Sequence, residues 1–192
     1  AFAALFSASV LLRGQTAGEV YLVLGSDTAI WEGMDTSRYH CHYNIDLYTN
    51  QTRNAYKVMD AAWRSGMVDS YGQTMKFTWW MMAGQIFRYA DNTDVPVPNT
   101  MTLHLMKQYH GAAIQQFGDE LTLHYHTFAW TNYSGGTPAW VQANSFLECQ
   151  DDFDLTVAQF LLEEGIYPVS FRSGWEWMSN EYQNHLNLLL PF

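Results

Sequence analysis

Four short runs of apolar and aromatic residues recur along this chain, and between them the apolar positions shift to helical spacing. The runs are residues 19–24 (Glu-Val-Tyr-Leu-Val-Leu), 75–82 (Met-Lys-Phe-Thr-Trp-Trp-Met-Met), 120–126 (Glu-Leu-Thr-Leu-His-Tyr-His) and 167–171 (Tyr-Pro-Val-Ser-Phe). Near-continuous apolar segments of this length read as strands buried on both faces. The first intervening stripe, over 54–64, places Tyr56, Met59, Ala62 and Trp63 on one side and stops at Gly66. A second helix, capped by Asn99 and Thr100, runs to Phe117 with Leu103, Met106, His110, Ala113 and Ile114 inward, and Gly118 ends it. A third covers 151–164 with three aspartates in its first turn, and Gly165 follows it. Ser179 caps a last helix with Tyr182, Leu186, Leu189 and Leu190 inward. Strands alternating with helices make parallel βα units, as in a barrel or an open doubly wound sheet. The expectation is an α/β fold: a parallel (β/α) barrel-like domain over residues 15–192. Four strands are too few to close a barrel, so it is incomplete and deformed, and the chain reads as cut at both ends.

The 192 residues are 48% hydrophobic and 15% charged, which is globular and sufficient for one core. A net charge of −10 argues against a nucleic-acid or anionic-membrane partner, since either requires clustered Lys and Arg. Aromatics reach 16%, including 8 Trp and 12 Tyr, and flat rings suit stacking on sugars as well as filling a core. Residues 1–12 are an apolar run too short to span a bilayer, and residues 1–14 are expected to be the remnant of a secretory signal, so the protein is expected to be secreted or extracytoplasmic without stable membrane insertion. The sequons Asn50-Gln51-Thr52 and Asn132-Tyr133-Ser134 agree with that but arise readily by chance. Cys41 and Cys149 either pair in an oxidising compartment or remain two buried thiols.

The central strand ends in His124-Tyr125-His126. Side chains at i and i+2 of a strand share a face, so the two imidazoles project together at the strand's carboxyl end, where α/β folds place their chemistry. Neutral imidazole is the commonest protein metal ligand. His40 and His42 repeat the spacing in a polar, turn-rich region, where a surface strand accounts for them. His104 and His110 lie six apart on a helix, the wrong spacing for one face, and read as ordinary helix residues. Residues 132–138 read as a turn-rich loop able to rim a site.

Three strand ends therefore present Ser26-Asp27, Glu120 through His126, and Arg172-Ser173-Gly174-Trp175. In that order they resemble the polysaccharide deacetylases, carbohydrate esterases with the chitooligosaccharide-deacetylase homology domain. The family's Thr-Phe-Asp-Asp-Gly falls on residues 24–28. Its Glu-Ile-Gly-x-His-x-x-x-His begins at Glu120, and its Arg-x-Pro-x-Tyr begins at Arg172. The strand at Phe77-Thr78-Trp79-Trp80 is similar to the family's Thr-Phe-Phe strand. Among the departures from the pattern, Ser26 stands where the family keeps its base, and Phe128 stands four residues after His124 in place of a histidine, so that either His126 substitutes or the second ligand is gone. The family's late acid and Leu-x-x-His motifs are not found.

The resemblance implies a divalent metal, most simply zinc, held by Asp27, His124 and His126, with Asp27 and Arg172 as catalytic residues and Trp130, Trp175 and Trp177 lining a carbohydrate site. If Asp27 is instead the base, Glu32 or Asp35 supplies the metal carboxylate. Removal of an acetyl group needs an activated water, a polarised carbonyl and an acid for the leaving group; three protein ligands and an open position on zinc would serve the first two. Two other classes fit the same residues. An amidohydrolase-type enzyme also uses His-x-His, but on its first strand rather than its third. A non-catalytic carbohydrate-binding or interaction domain would explain Ser26, Phe128 and the missing late motifs.

Overall fold

The computed structural model describes residues 21–28, 34–35, 40–41, 46–52, 54–89, 98–132 and 138–190. The expected signal remnant lies outside them. The strands are β1 (Gly25–Thr28), β2 (Met34–Asp35), β3 (His40–Cys41), β4 (Thr78–Ala83), β5 (Glu120–Tyr125), β6 (Phe128–Asn132), β7 (Pro138–Gln142) and β8 (Phe171–Ser173). The α-helices are α1 (Asp46–Thr49), α2 (Asn54–Val58), α3 (Ala61–Ser65), α4 (Met101–Phe117), α5 (Gln150–Leu162) and α6 (Asn180–Leu189). Four strands form one parallel sheet in the order β1-β4-β5-β8, curled into a half-barrel, so the α/β reading and the expectation of a four-stranded parallel sheet hold, although residues 21–24 of the first run precede β1. Among the described residues no helix is long and apolar enough to cross a membrane.

Two of the expected strands begin later than the apolar runs suggest. Tyr21, Leu22 and Val23 are exposed and lead into the sheet; the ladder starts where Thr78 N–H donates to Leu24 C=O, and β1 follows from Gly25. Gly25 lies flat against Trp80, where a Cβ would stand 1.9 Å from the indole, so the position is closed to any side chain. Near β8, Pro168 has no N–H to give a ladder, Tyr167 and Val169 are exposed, and the strand starts at Phe171. The expected helix over 54–64 is broken into α2 and α3, because the Asp60 carboxylate accepts from Trp63 N–H at 2.8 Å and starts a new helix.

Register decides which side chains share a face, since paired residues of a parallel ladder point the same way. Asp27 pairs with Trp80, Trp80 with Thr122, Met82 with His124, and His124 with Arg172. One face therefore carries Asp27, Thr78, Trp80, Glu120, Thr122, His124 and Arg172. The other carries Trp79, Met81, Leu123, Tyr125 and Phe171, and the helices pack there: Phe153 of α5 meets Tyr125 and Phe171, and Tyr182 of α6 meets Phe171 and Phe153. From Thr122 to Tyr125 β5 is thus buried on both faces, as expected, but apolar on one face only. Its alternation of Glu120, Thr122, His124 and His126 is the period of a two-faced strand.

Polar groups tie the layers together. Asp152 does more than sit in the first turn of α5: its carboxylate accepts from Tyr125 Oη at 2.7 Å, Gln85 N–H at 3.0 Å and Asn99 Nδ2 at 3.0 Å. Asn99 is therefore spent on α5, and Thr100 precedes α4 without a side-chain cap, its hydroxyl reaching Glu164. Gly118 ends α4 in the left-handed conformation expected of it, φ 68°. At the amino end of the sheet Arg64 is fully buried. It donates to Val58 C=O at 2.7 Å, Met75 C=O at 2.6 Å and the Asp119 carboxylate, with Phe77 and Phe117 against its guanidinium.

Candidate functional site

His124 leaves β5 on its polar face and is buried, and His126 follows one residue beyond the strand on the same side. Their ring centroids are 4.7 Å apart at 75°, so the two imidazoles project together as the spacing requires. His124 Nδ1 lies 3.0 Å from Arg172 C=O. A carbonyl only accepts, so Nδ1 carries the proton and the lone pair is on Nε2. That is the arrangement by which a backbone carbonyl orients a metal-ligating histidine. Burial holds the His124 pKa below its usual value, with the Arg172 carbonyl and the Asp27 carboxylate opposing it. His126 is pulled down to about 4, first by burial and then by His124, while Asp27 works the other way. Both rings are neutral at pH 7.

β1 and β8 bring the other two residues. Arg172 Nε donates to Asp27 Oδ2 at 3.1 Å, and Nη2 reaches Glu176 Oε1 at 3.3 Å. Arg172 therefore links Asp27 to the imidazoles: its side chain bonds Asp27 and its backbone carbonyl bonds His124, which stands beside His126. His126 differs from His124 in its surroundings: its Nδ1 is buried without a hydrogen-bond partner among the described residues, and Phe128 stacks on it at 4.7 Å and 9°. Phe128, the residue standing in place of the family's second histidine, thus packs on the substitute. Trp175 meets both rings edge-on, at 5.2 Å from His126 and 4.9 Å from Phe128, yet remains 64% exposed. Its backbone and that of Glu176 are left-handed, φ 50° and 57°, a conformation costing non-glycine residues about 1 kcal/mol or more each.

Of the three tryptophans expected to line a sugar site, Trp175 is brought to the imidazoles. Trp130 sits on a hairpin of β6 and β7, edge-on to Trp140 at 4.9 Å, and Trp177 packs against Tyr182. The strands β6 and β7 flank the stretch at 132–138 and are not expected from the sequence; residues 133–137 of that stretch lie outside the described residues. The second His-x-His falls at β3, which pairs antiparallel with β2; His42 and Glu32 lie outside the described residues, as do the side chains of His40 and Asp35. Cys149 is a free, buried thiol whose Sγ donates to Phe128 C=O at 3.1 Å, so a bridge to Cys41 is not formed.

Sequence reasoning missed a second polar layer beneath the site. Ser170 Oγ donates to Glu120 Oε1 at 2.8 Å and accepts from Trp80 Nε1 at 3.2 Å, and Thr78 Oγ1 donates to Glu120 Oε2 at 3.3 Å. Glu120 is thereby a strut between β4, β5 and the approach to β8. The period-two run from Glu120 to His126 was the signal for it. For a metal, the donor chemistry is two neutral imidazoles, one of them already oriented, beside a carboxylate that Arg172 engages. Among the described residues no group of three or more His, Cys, Asp or Glu side chains is spaced to hold a metal ion. Comparison with protein-family models, curated proteins and solved structures gives no match.

Proposed function

We propose that this chain is a divergent, metal-dependent carbohydrate deacetylase-like hydrolase, secreted, and built on part of a (β/α) barrel. One observation supports the reading: toward the carboxyl end of a curled parallel sheet, Arg172 bonds the Asp27 carboxylate through its side chain and His124 through its backbone carbonyl, with His126 beside His124. With Asp27 as the base, His124 and His126 would contribute two of the three ligands of a catalytic zinc, and Glu32 or Asp35 the third. When bound, the ion supplies a polarised carbonyl and a water of lowered pKa. Asp27 is the general base. Arg172 holds its carboxylate by one oxygen, leaving the other to take the proton of the attacking water. As the water oxygen bonds to the acetyl carbon and the C–N or C–O bond of the acetylated sugar breaks, acetate leaves and the amine or hydroxyl takes the proton held by Asp27. Trp175, exposed and adjacent, offers a flat ring for the sugar.

A second reading has its own support. Phe128 covers a face of His126, and the described residues supply no complete ligand set, as expected of a sugar-binding domain that has lost catalysis. The two readings separate on metal content and on acetate release from acetylated chitooligosaccharides with and without chelator. Chelator-sensitive release supports the hydrolase. A metal-loaded protein that binds the oligosaccharide and releases no acetate supports the binding domain.

A further inference from the structure

Gly174, at the end of β8, is in contact with His126 so closely that no side chain fits between them. A Cβ built on it would stand 2.2 Å from His126 Cγ, 2.3 Å from Nδ1 and 2.6 Å from Cδ2. These are ring atoms next to the backbone, not the far end of a flexible chain, so the overlap is relieved only by turning the imidazole or shifting the strand end. Two neighbours already constrain the ring: Phe128 stacks on it, and Trp175 abuts it edge-on. Conformational freedom is not the reason for glycine here. Among the described residues the left-handed glycines are Gly72, Gly84, Gly118 and Gly165, and Gly174 is not one of them. Gly25 shares such a close approach, to Trp80, whereas Gly111, also without a left-handed backbone, has nothing within 4 Å of its Cβ position, so the contact at Gly174 is not a property of glycine in general.

We infer that Gly174 is a positioning residue for His126: its missing side chain is the slot in which the imidazole stands, edge-on to His124. The inference deepens the proposed hydrolase reading and, for its effect on metal, rests on it. Gly174→Ala fills the slot and turns His126 away, while His124 keeps its bond to the Arg172 carbonyl.

The test uses the whole chain as wild type, Gly174→Ala, His126→Ala and the double variant. Thermal melting forms a double-mutant cycle. Gly174→Ala is expected to lower Tm in the wild-type background and to leave it unchanged when His126 is already Ala. Nuclear Overhauser contacts from the His126 ring to Phe128 and Trp175 are expected to vanish in Gly174→Ala. Titration with Co2+ alone, followed by its visible absorption, is expected to show about tenfold or weaker binding in that variant, the usual scale for disturbing a ligand's support. An equal Tm loss in both backgrounds, or unchanged ring contacts, overturns the inference. If the wild type binds no Co2+, the metal reading falls, and the melting cycle and ring contacts still decide the role of Gly174.

Discussion

Asp27 and Arg172 lie on the two outer strands of the four-stranded sheet, yet their side chains meet at 3.1 Å. With neighbouring strands about 4.8 Å apart, a flat sheet would hold β1 and β8 some 14 Å apart. Only curling of the sheet, together with the reach of the arginine, closes that gap. The contact crosses the concave side above Met82 and His124, the residues of β4 and β5 in register with Arg172.

This pair is half-exposed on both sides, so its worth to stability is small, at most about 1 kcal/mol. Asp27→Asn and Arg172→Ala should therefore leave the melting temperature nearly unchanged. Acetate release should fall about a hundredfold or more in Asp27→Asn, the scale of losing a general base. A loss of activity matched by a loss of folding would mean that the pair is structural.

Arg64 and Asp119 are the opposite case, an ion pair with neither partner exposed. Arg64→Leu leaves the Asp119 carboxylate buried with only the Trp79 and Phe77 N–H donors. The expected cost is about 3 to 5 kcal/mol, read from the denaturant midpoint. Arg64→Lys should recover little, since one ammonium cannot replace a planar fork that serves Val58, Met75 and Asp119 together.

The buried histidines set a pH dependence. His110, His124 and His126 are all held below the ordinary imidazole value, chiefly by burial. As pH falls through about 6.5 the unfolded chain takes up protons that the folded chain refuses, so stability declines. For His126 the decline ends near its folded value of about 4 and amounts to about 3 kcal/mol. His126→Gln should flatten the fall in denaturant midpoint between pH 7.5 and pH 5; an unchanged slope would show that His126 titrates normally.

Cys149 should be inert. Burial, and next the neighbouring Asp152 and Glu148 carboxylates, push its thiol up to about 12, so no useful fraction is thiolate at pH 8. A disulfide reagent should label it only at the rate of unfolding. Rapid labelling of the native protein would contradict its burial.

The sequence by itself determined the features that a few neighbouring residues decide. The alternation of strand and helix follows from apolar spacing. Gly118 ends α4 because a left-handed residue is needed there, and the Ser179 hydroxyl accepts from Tyr182 N–H to start α6. His124 and His126 share a face because a strand repeats every two residues. Composition could not show which runs would find a ladder partner, and so the first and last strands were placed too early. Nor could it separate the hairpin of β6 and β7 from a loop, since its turn-forming residues signal either. Only the tertiary structure decided that Asp27 meets Arg172, that Asp152 serves Tyr125 and Asn99, and that His126 stands in the space left by Gly174. Each of these joins residues far apart in the chain. What sets them is the curl and register of the sheet, which no local stretch of residues encodes.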